Sequence, residues 1–78
     1  MAEKFYAEVI EAIERNVAGL KLSEDKMGLT LADLGVDSLD VMLVLVDVQE
    51  KTGITIPEEQ ADLLKTPAQI IAFLQANA

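Results

Sequence analysis

Ten residues in the middle of the chain, Leu39 to Val48, hold eight apolar side chains: Leu39, Val41, Met42, Leu43, Val44, Leu45, Val46 and Val48. A helix on the surface of a small domain normally carries an apolar stripe, with polar residues over the rest of its circumference. This stretch is apolar almost all the way round. Its boundaries are those of a helix over 38–52. Asp37, with Asp40 three residues on, forms a capping pair at the start, and Gly53 follows Lys51-Thr52 as a stop. It is too short for a membrane. The longest unbroken apolar run, Val41 to Val46, is six residues, where a span needs about 20. A chain of 78 residues buries only about 60–65% of the surface its unfolded form exposes. So small a domain has little material to encircle such a helix. Part of the girdle is therefore expected at the surface, available to a partner.

The remaining segments predict more helix. Phe5, Val9, Ile13 and Val17 recur every fourth residue with Tyr6 and Ile10 beside them, while Glu8, Glu11, Glu14 and Arg15 take the opposite face. That period predicts a first helix over about 3–17, stopped by Gly19. A long connection over 18–37 follows. In it Ser23-Glu24-Asp25-Lys26 reads as a capped turn, and Met27 and Leu29 are expected to anchor the loop to the core. Thr30-Leu31-Ala32-Asp33 resembles a capping box before a short turn that ends at Gly35. Ile54-Thr55-Ile56 reads as an extended link. Pro57 suits a first helical position, giving a short helix over about 58–63. Thr66-Pro67-Ala68-Gln69 repeats the start pattern for a last helix over about 67–76, with Ile70, Ile71, Phe73 and Leu74 as core candidates. With no charged residue, that helix is expected to pack closely on the first two. The fold class is all-α: an antiparallel bundle of three main helices plus a short one, in a single domain over 1–78.

Charge and composition exclude several function classes. The net charge of −8 is unevenly spread: residues 33–62 hold eight acids and one base, a net −7. Nucleic acid and anionic membranes are polyanions, so neither is an expected partner, whereas basic protein surfaces are. With neither cysteine nor histidine in the chain, thiolate and imidazole metal sites, disulfides and His-dependent catalysis are ruled out. No base–nucleophile pair or phosphate-cradling glycine loop is visible, so the chain is not expected to be an enzyme. The first residues lack a basic region followed by an apolar run. Together with the absence of cysteine, this suits a reducing cytoplasm.

Asp33-Leu34-Gly35-Val36-Asp37-Ser38-Leu39-Asp40 resembles the modification site of acyl carrier proteins. Nineteen residues after the serine come Pro57 and two acids, within Gly53-Ile54-Thr55-Ile56-Pro57-Glu58-Glu59. The likeness extends over the chain in length and element order. It implies that a phosphopantetheinyl transferase attaches 4′-phosphopantetheine, taken from coenzyme A, to the hydroxyl of Ser38. Acyl intermediates are then carried as thioesters on the arm's thiol and delivered to enzymes of fatty-acid or polyketide type: a ketoacyl synthase, acyltransferase, reductase or ligase. By the same resemblance Asp37, Leu39 and Asp40 engage the transferase and its metal ion. A serine at a helix start suits the chemistry, since its hydroxyl is accessible and free N–H groups there favour an anion.

The resemblance also implies a docking face on the helix behind the serine, at Leu39, Asp40, Met42, Leu43, Val46, Gln49 and Glu50. Asp40 and Glu50 fit the acidic pattern of fatty-acid carriers, whereas Leu43 and Gln49 stand where those carriers usually place glutamates. The expected protein is thus a monomeric carrier of specialised rather than housekeeping type, with partners offering a more apolar surface. The alternative is a plain helix cap at Asp37-Ser38 in an unmodified acidic helical adaptor that binds basic protein surfaces.

Overall fold

The apolar period in the first segment yields a shorter helix than expected. In the computed structural model, which describes residues 4–78, helix α1 runs Tyr6–Asn16. Its expected start at residue 3 lies outside the described residues. Lys4 and Phe5 form a turn instead, with Phe5 in the left-handed region at φ 71°. At the other end Gly19 is not the stop. The chain leaves the helix two residues earlier, at Val17, which is extended. The Asn16 side chain, on the last helical residue, donates to the Ala12 carbonyl at 2.7 Å and to Asp47 Oδ2 at 3.3 Å, bridging the end of α1 to the facing segment of the chain.

Helix α2 covers Ser38–Thr52, the expected span. Asp37 caps it, accepting from the Asp40 amide at 2.9 Å. Gly53 closes it in the left-handed conformation at φ 73°, its N–H donating to the Gln49 carbonyl. A side chain at that φ would be strained, which is why glycine sits there. Helix α3 spans only Glu58–Ala61, and Pro57 is its cap residue at ψ 153° rather than its first helical residue. Helix α4 runs Pro67–Ala76. Its start is held by the predicted reciprocal pair: Gln69 N donates to Thr66 Oγ1 at 3.1 Å, and Thr66 N donates to Gln69 Oε1 at 3.0 Å. Among the described residues there is no strand, and 54–57 is an extended link.

Polar contacts between helices fix their directions. Arg15 pairs with Asp47 at 3.9 Å and Glu11 with Lys51 at 3.8 Å, so α1 ascends as α2 descends. Gln75 donates to the Lys4 carbonyl at 3.2 Å, setting the end of α4 against the start of α1. Both α2 and α4 therefore run antiparallel to α1. One core joins them, built on Val9, Ala12 and Ile13 of α1, Val44, Leu45 and Val48 of α2, and Ile70, Ile71 and Leu74 of α4. Phe73 is only half-buried. The uncharged α4 packs along α1, but its backbone does not approach α2 in the same way. Beside the start of α4 lies the 27–31 loop, whose Met27 carbonyl accepts from Ala68 N at 3.1 Å.

The 18–37 connection is a tethered layer of the fold. Leu22, Met27, Leu31 and Val36 are buried. Leu29, expected as an anchor, is exposed, because Met27 already fills the inward position of the turn that follows the 3₁₀ turn at Glu24–Lys26. Glu14 leaves the outer face of α1 to accept from Leu22 N at 2.8 Å. In the 3₁₀ turn the Ser23 hydroxyl donates to Asp25. That bond, then the Asp25 backbone N–H and the nearby Lys26, hold the Asp25 carboxyl below its ordinary value. Thr30 accepts from Asp33 N at 3.0 Å, and the turn ends at Gly35 with φ 88°, as the sequence predicts.

Candidate functional site

Gly35 permits the chain to reverse out of the 31–35 turn, and Val36 enters the core. The next two residues are thereby delivered to the surface: Asp37 as helix cap and Ser38 as first residue of α2. Ser38 is exposed and takes part in none of the side-chain hydrogen bonds formed among the described residues. Its hydroxyl is presented rather than used. The Asp37 carboxylate is occupied at one oxygen with the Asp40 N–H. The amides of Ser38 and Leu39 lie in the first turn, where no helical acceptor exists for them. A negatively charged group on Ser38 would meet those N–H groups and the positive end of the helix dipole. Asp37 and Asp40 act against it by like-charge repulsion.

Ser38 also sits on the rim of a cleft of about 430 Å³. One wall is the loop, with Leu31, Ala32 and Val36. A second is α2, with Val41, Met42 and Leu45. The third is the end of α3 and the residues after it: Ala61, Asp62, Leu64 and Lys65. The lining is mostly apolar, with Asp62 and Lys65 as its charged members. Motif reading does not find this cleft, because its three walls come from separated parts of the sequence. Lys65 had one sequence signal, as the sole base after Lys51.

The expected docking residues divide in two. Leu39, Met42, Leu43 and Val46 are exposed at 66%, 64%, 48% and 52%, four large apolar side chains on one helix of a small protein. Glu50 is exposed and Asp40 half-buried beside them. Gln49 departs from the expectation. It is half-buried, its Nε2 donating to the Leu45 carbonyl at 3.2 Å and its Oε1 accepting from Ile56 N at 2.9 Å. Both ends of the amide are engaged inside the molecule, so Gln49 tethers the 54–56 link to α2 instead of facing a partner. A further exposed apolar residue lies outside the expected docking set: Leu63, just after α3, is exposed at 63%.

Comparison with known proteins gives one consistent result. The family model described as "Phosphopantetheine attachment site" matches residues 6–74. The acyl carrier protein of Exiguobacterium sibiricum is 35% identical over 80 aligned positions, covering 96% of this chain and 95% of that protein. That of Wolinella succinogenes is 33% identical over 69 residues, 88% of this chain and 86% of the other. A match to the acyl carrier protein of Helicobacter hepaticus is higher in identity but shorter, 40% over 47 residues, 60% of this chain and 62% of that protein. Among solved structures, the solution structure of the acetyl actinorhodin acyl carrier protein from Streptomyces coelicolor superposes with a TM-score of 0.76 over 92% of this chain and 87% of that one. At 24% identity this last likeness establishes a shared fold.

Proposed function

The chain belongs to the acyl carrier protein family, and on that premise we propose that the Ser38 hydroxyl is where its 4′-phosphopantetheine arm is attached. Members of the family carry acyl groups and do not catalyse their conversion. They work with a phosphopantetheinyl transferase and with acyl-processing enzymes. When bound, the arm supplies a flexible tether ending in a thiol that holds the acyl group as a thioester. The observation that carries the Ser38 assignment is the exposed, unengaged hydroxyl at the first position of α2, on the rim of an apolar cleft. The site suits the group: the attachment atom is accessible, free first-turn N–H groups favour its phosphate, and an apolar surface adjoins it. Asp37, Leu39 and Asp40 surround the serine and are the side chains a transferase would engage. The chain is read as one carrier-type domain over 1–78, acting as a monomer in the cytoplasm. Among the described residues no helix is long and apolar enough to cross a membrane.

We further infer a specialised rather than housekeeping carrier. Leu39, Met42, Leu43 and Val46 make the outer surface of α2 apolar, with Asp40 and Glu50 at its edges. Where a glutamate at position 43 would steer a basic partner, Leu43 offers contact area; fully burying a leucine contributes roughly 1.5–3 kcal/mol. Affinity for a housekeeping ketoacyl synthase equal to that of a standard carrier would contradict this inference.

Mass spectrometry tests the assignment itself. Incubation with coenzyme A and a broad-specificity phosphopantetheinyl transferase should add one phosphopantetheine to the wild type and none to Ser38→Ala. Equal addition to both overturns Ser38 as the attachment point and moves the arm to another residue; none to either overturns the carrier reading and leaves an unmodified acidic helical adaptor as the better account.

A further inference from the structure

Among the side chains lining the cleft beside Ser38, one carries positive charge. Lys65 is the sole base between residues 52 and 78, and it lines the same cleft as Ser38. Its backbone is fixed from both sides. Lys65 N donates to Gln69 Oε1 at 2.7 Å, tying it to the start of α4, and its carbonyl accepts from Leu31 N at 2.8 Å, tying it to the loop wall. The side chain is exposed and belongs to neither of the ion pairs formed among the described residues, Arg15–Asp47 and Lys51–Glu11. A well-placed backbone thus carries a cation whose charge the fold does not use.

A phosphodiester on Ser38 would bring a permanent negative charge between Asp37 and Asp40, inside the stretch of net −7. The helix end offers only about half a positive charge against this. We propose that Lys65 is a positioning residue for the arm, its ammonium reaching across the cleft to hold the phosphate that joins Ser38 to the pantetheine. The proposal rests on Ser38 being the attachment point. Lysine suits the task as a compact charge on a flexible stem, able to follow a phosphate without demanding one fixed geometry. A single exposed lysine would bind a free anion weakly. Covalent tethering removes that limit by keeping the phosphate at high local concentration. The consequence is an arm whose first segment leans toward the cleft rather than away into solvent.

The test uses the holo protein, with attachment first verified by mass, labelled with ¹³C and ¹⁵N while the arm stays unlabelled. Isotope-filtered spectra should show contacts between the Lys65 ε-methylene protons and the arm methylene next to the phosphate. In Lys65→Gln the ³¹P resonance should move and the arm signals narrow. Lys65→Arg should restore most of the wild-type spectrum, and Lys51→Gln should leave it unchanged. Added salt should move the wild-type ³¹P resonance toward its position in Lys65→Gln. No contact in the wild type, or ³¹P and arm signals in Lys65→Gln that superimpose on the wild type, overturns the proposal. A protein that gains no mass fails earlier, at the Ser38 assignment, and the role of Lys65 falls with it.

Discussion

Helices α1 and α2 face each other but spend their apolar residues differently. In α1 the fully buried positions are Val9, Ala12 and Ile13, and Glu11 and Arg15 lie outside. Packing accounts for its apolar pattern. In α2, Val44, Leu45 and Val48 do the same inward work, yet Leu39, Met42, Leu43 and Val46 lie exposed on the same helix. Folding alone gives no reason for those four, since polar residues there would leave the core intact. The contrast separates residues the bundle requires from residues it leaves exposed, the ones proposed above as the docking face, and it does so within two adjacent helices.

The largest effect is expected in α1: Ile13→Ala should destabilise the fold by about 2–5 kcal/mol in chemical denaturation, because a fully buried side chain leaves a cavity. A smaller loss, about 0.5–2 kcal/mol, is expected from Asp37→Ala, which removes the cap that accepts the Asp40 N–H. The link between the helices should matter less. Arg15→Ala gives up a long, 3.9 Å pair between an exposed guanidinium and the half-buried Asp47, which keeps its bond from Asn16, and should cost about 1 kcal/mol or less. Smallest of all in stability is Met42→Ala, within about 0.5 kcal/mol of wild type. Binding to a cognate acyl-processing enzyme, measured by calorimetry, should nonetheless weaken clearly. A Met42→Ala protein that unfolds as readily as Ile13→Ala would erase the distinction between the helices. One further measurement concerns charge: monovalent salt should raise the melting temperature by screening the repulsion within residues 33–62, and a flat response would contradict this.

The parts legible in sequence were those governed by local chemistry. Capping side chains and glycines marked both ends of α2, and the Thr66–Gln69 pair marked the start of α4, because each is an interaction within a few residues. The serine at the head of α2 was legible for the same reason. What escaped were arrangements made by distant residues. At the end of the first helix the Asn16 amide reaches Ala12 and Asp47 together, and no period in the sequence reveals a partner 31 residues away. Gln49 shows the limit most clearly. By position on α2 it belongs with the docking residues, and only the approach of Ile56 turns it inward. A glutamate at that position could still accept from Ile56 N but could not donate to the Leu45 carbonyl. The cleft itself, assembled from three separated segments, leaves no sequence trace.

The hydrogen bond from Leu31 to Lys65 has a mechanical consequence. It stitches two of the three cleft walls together, and the bond from Ala68 to the Met27 carbonyl adds a second stitch close by. Loop and post-α3 segment should therefore move as one plate. The α2 wall, at Val41, Met42 and Leu45, meets that plate through side-chain packing. If the cleft widens to admit a guest, the seam that yields should be the one along α2, and hydrogen exchange should find the Leu31 amide protected throughout.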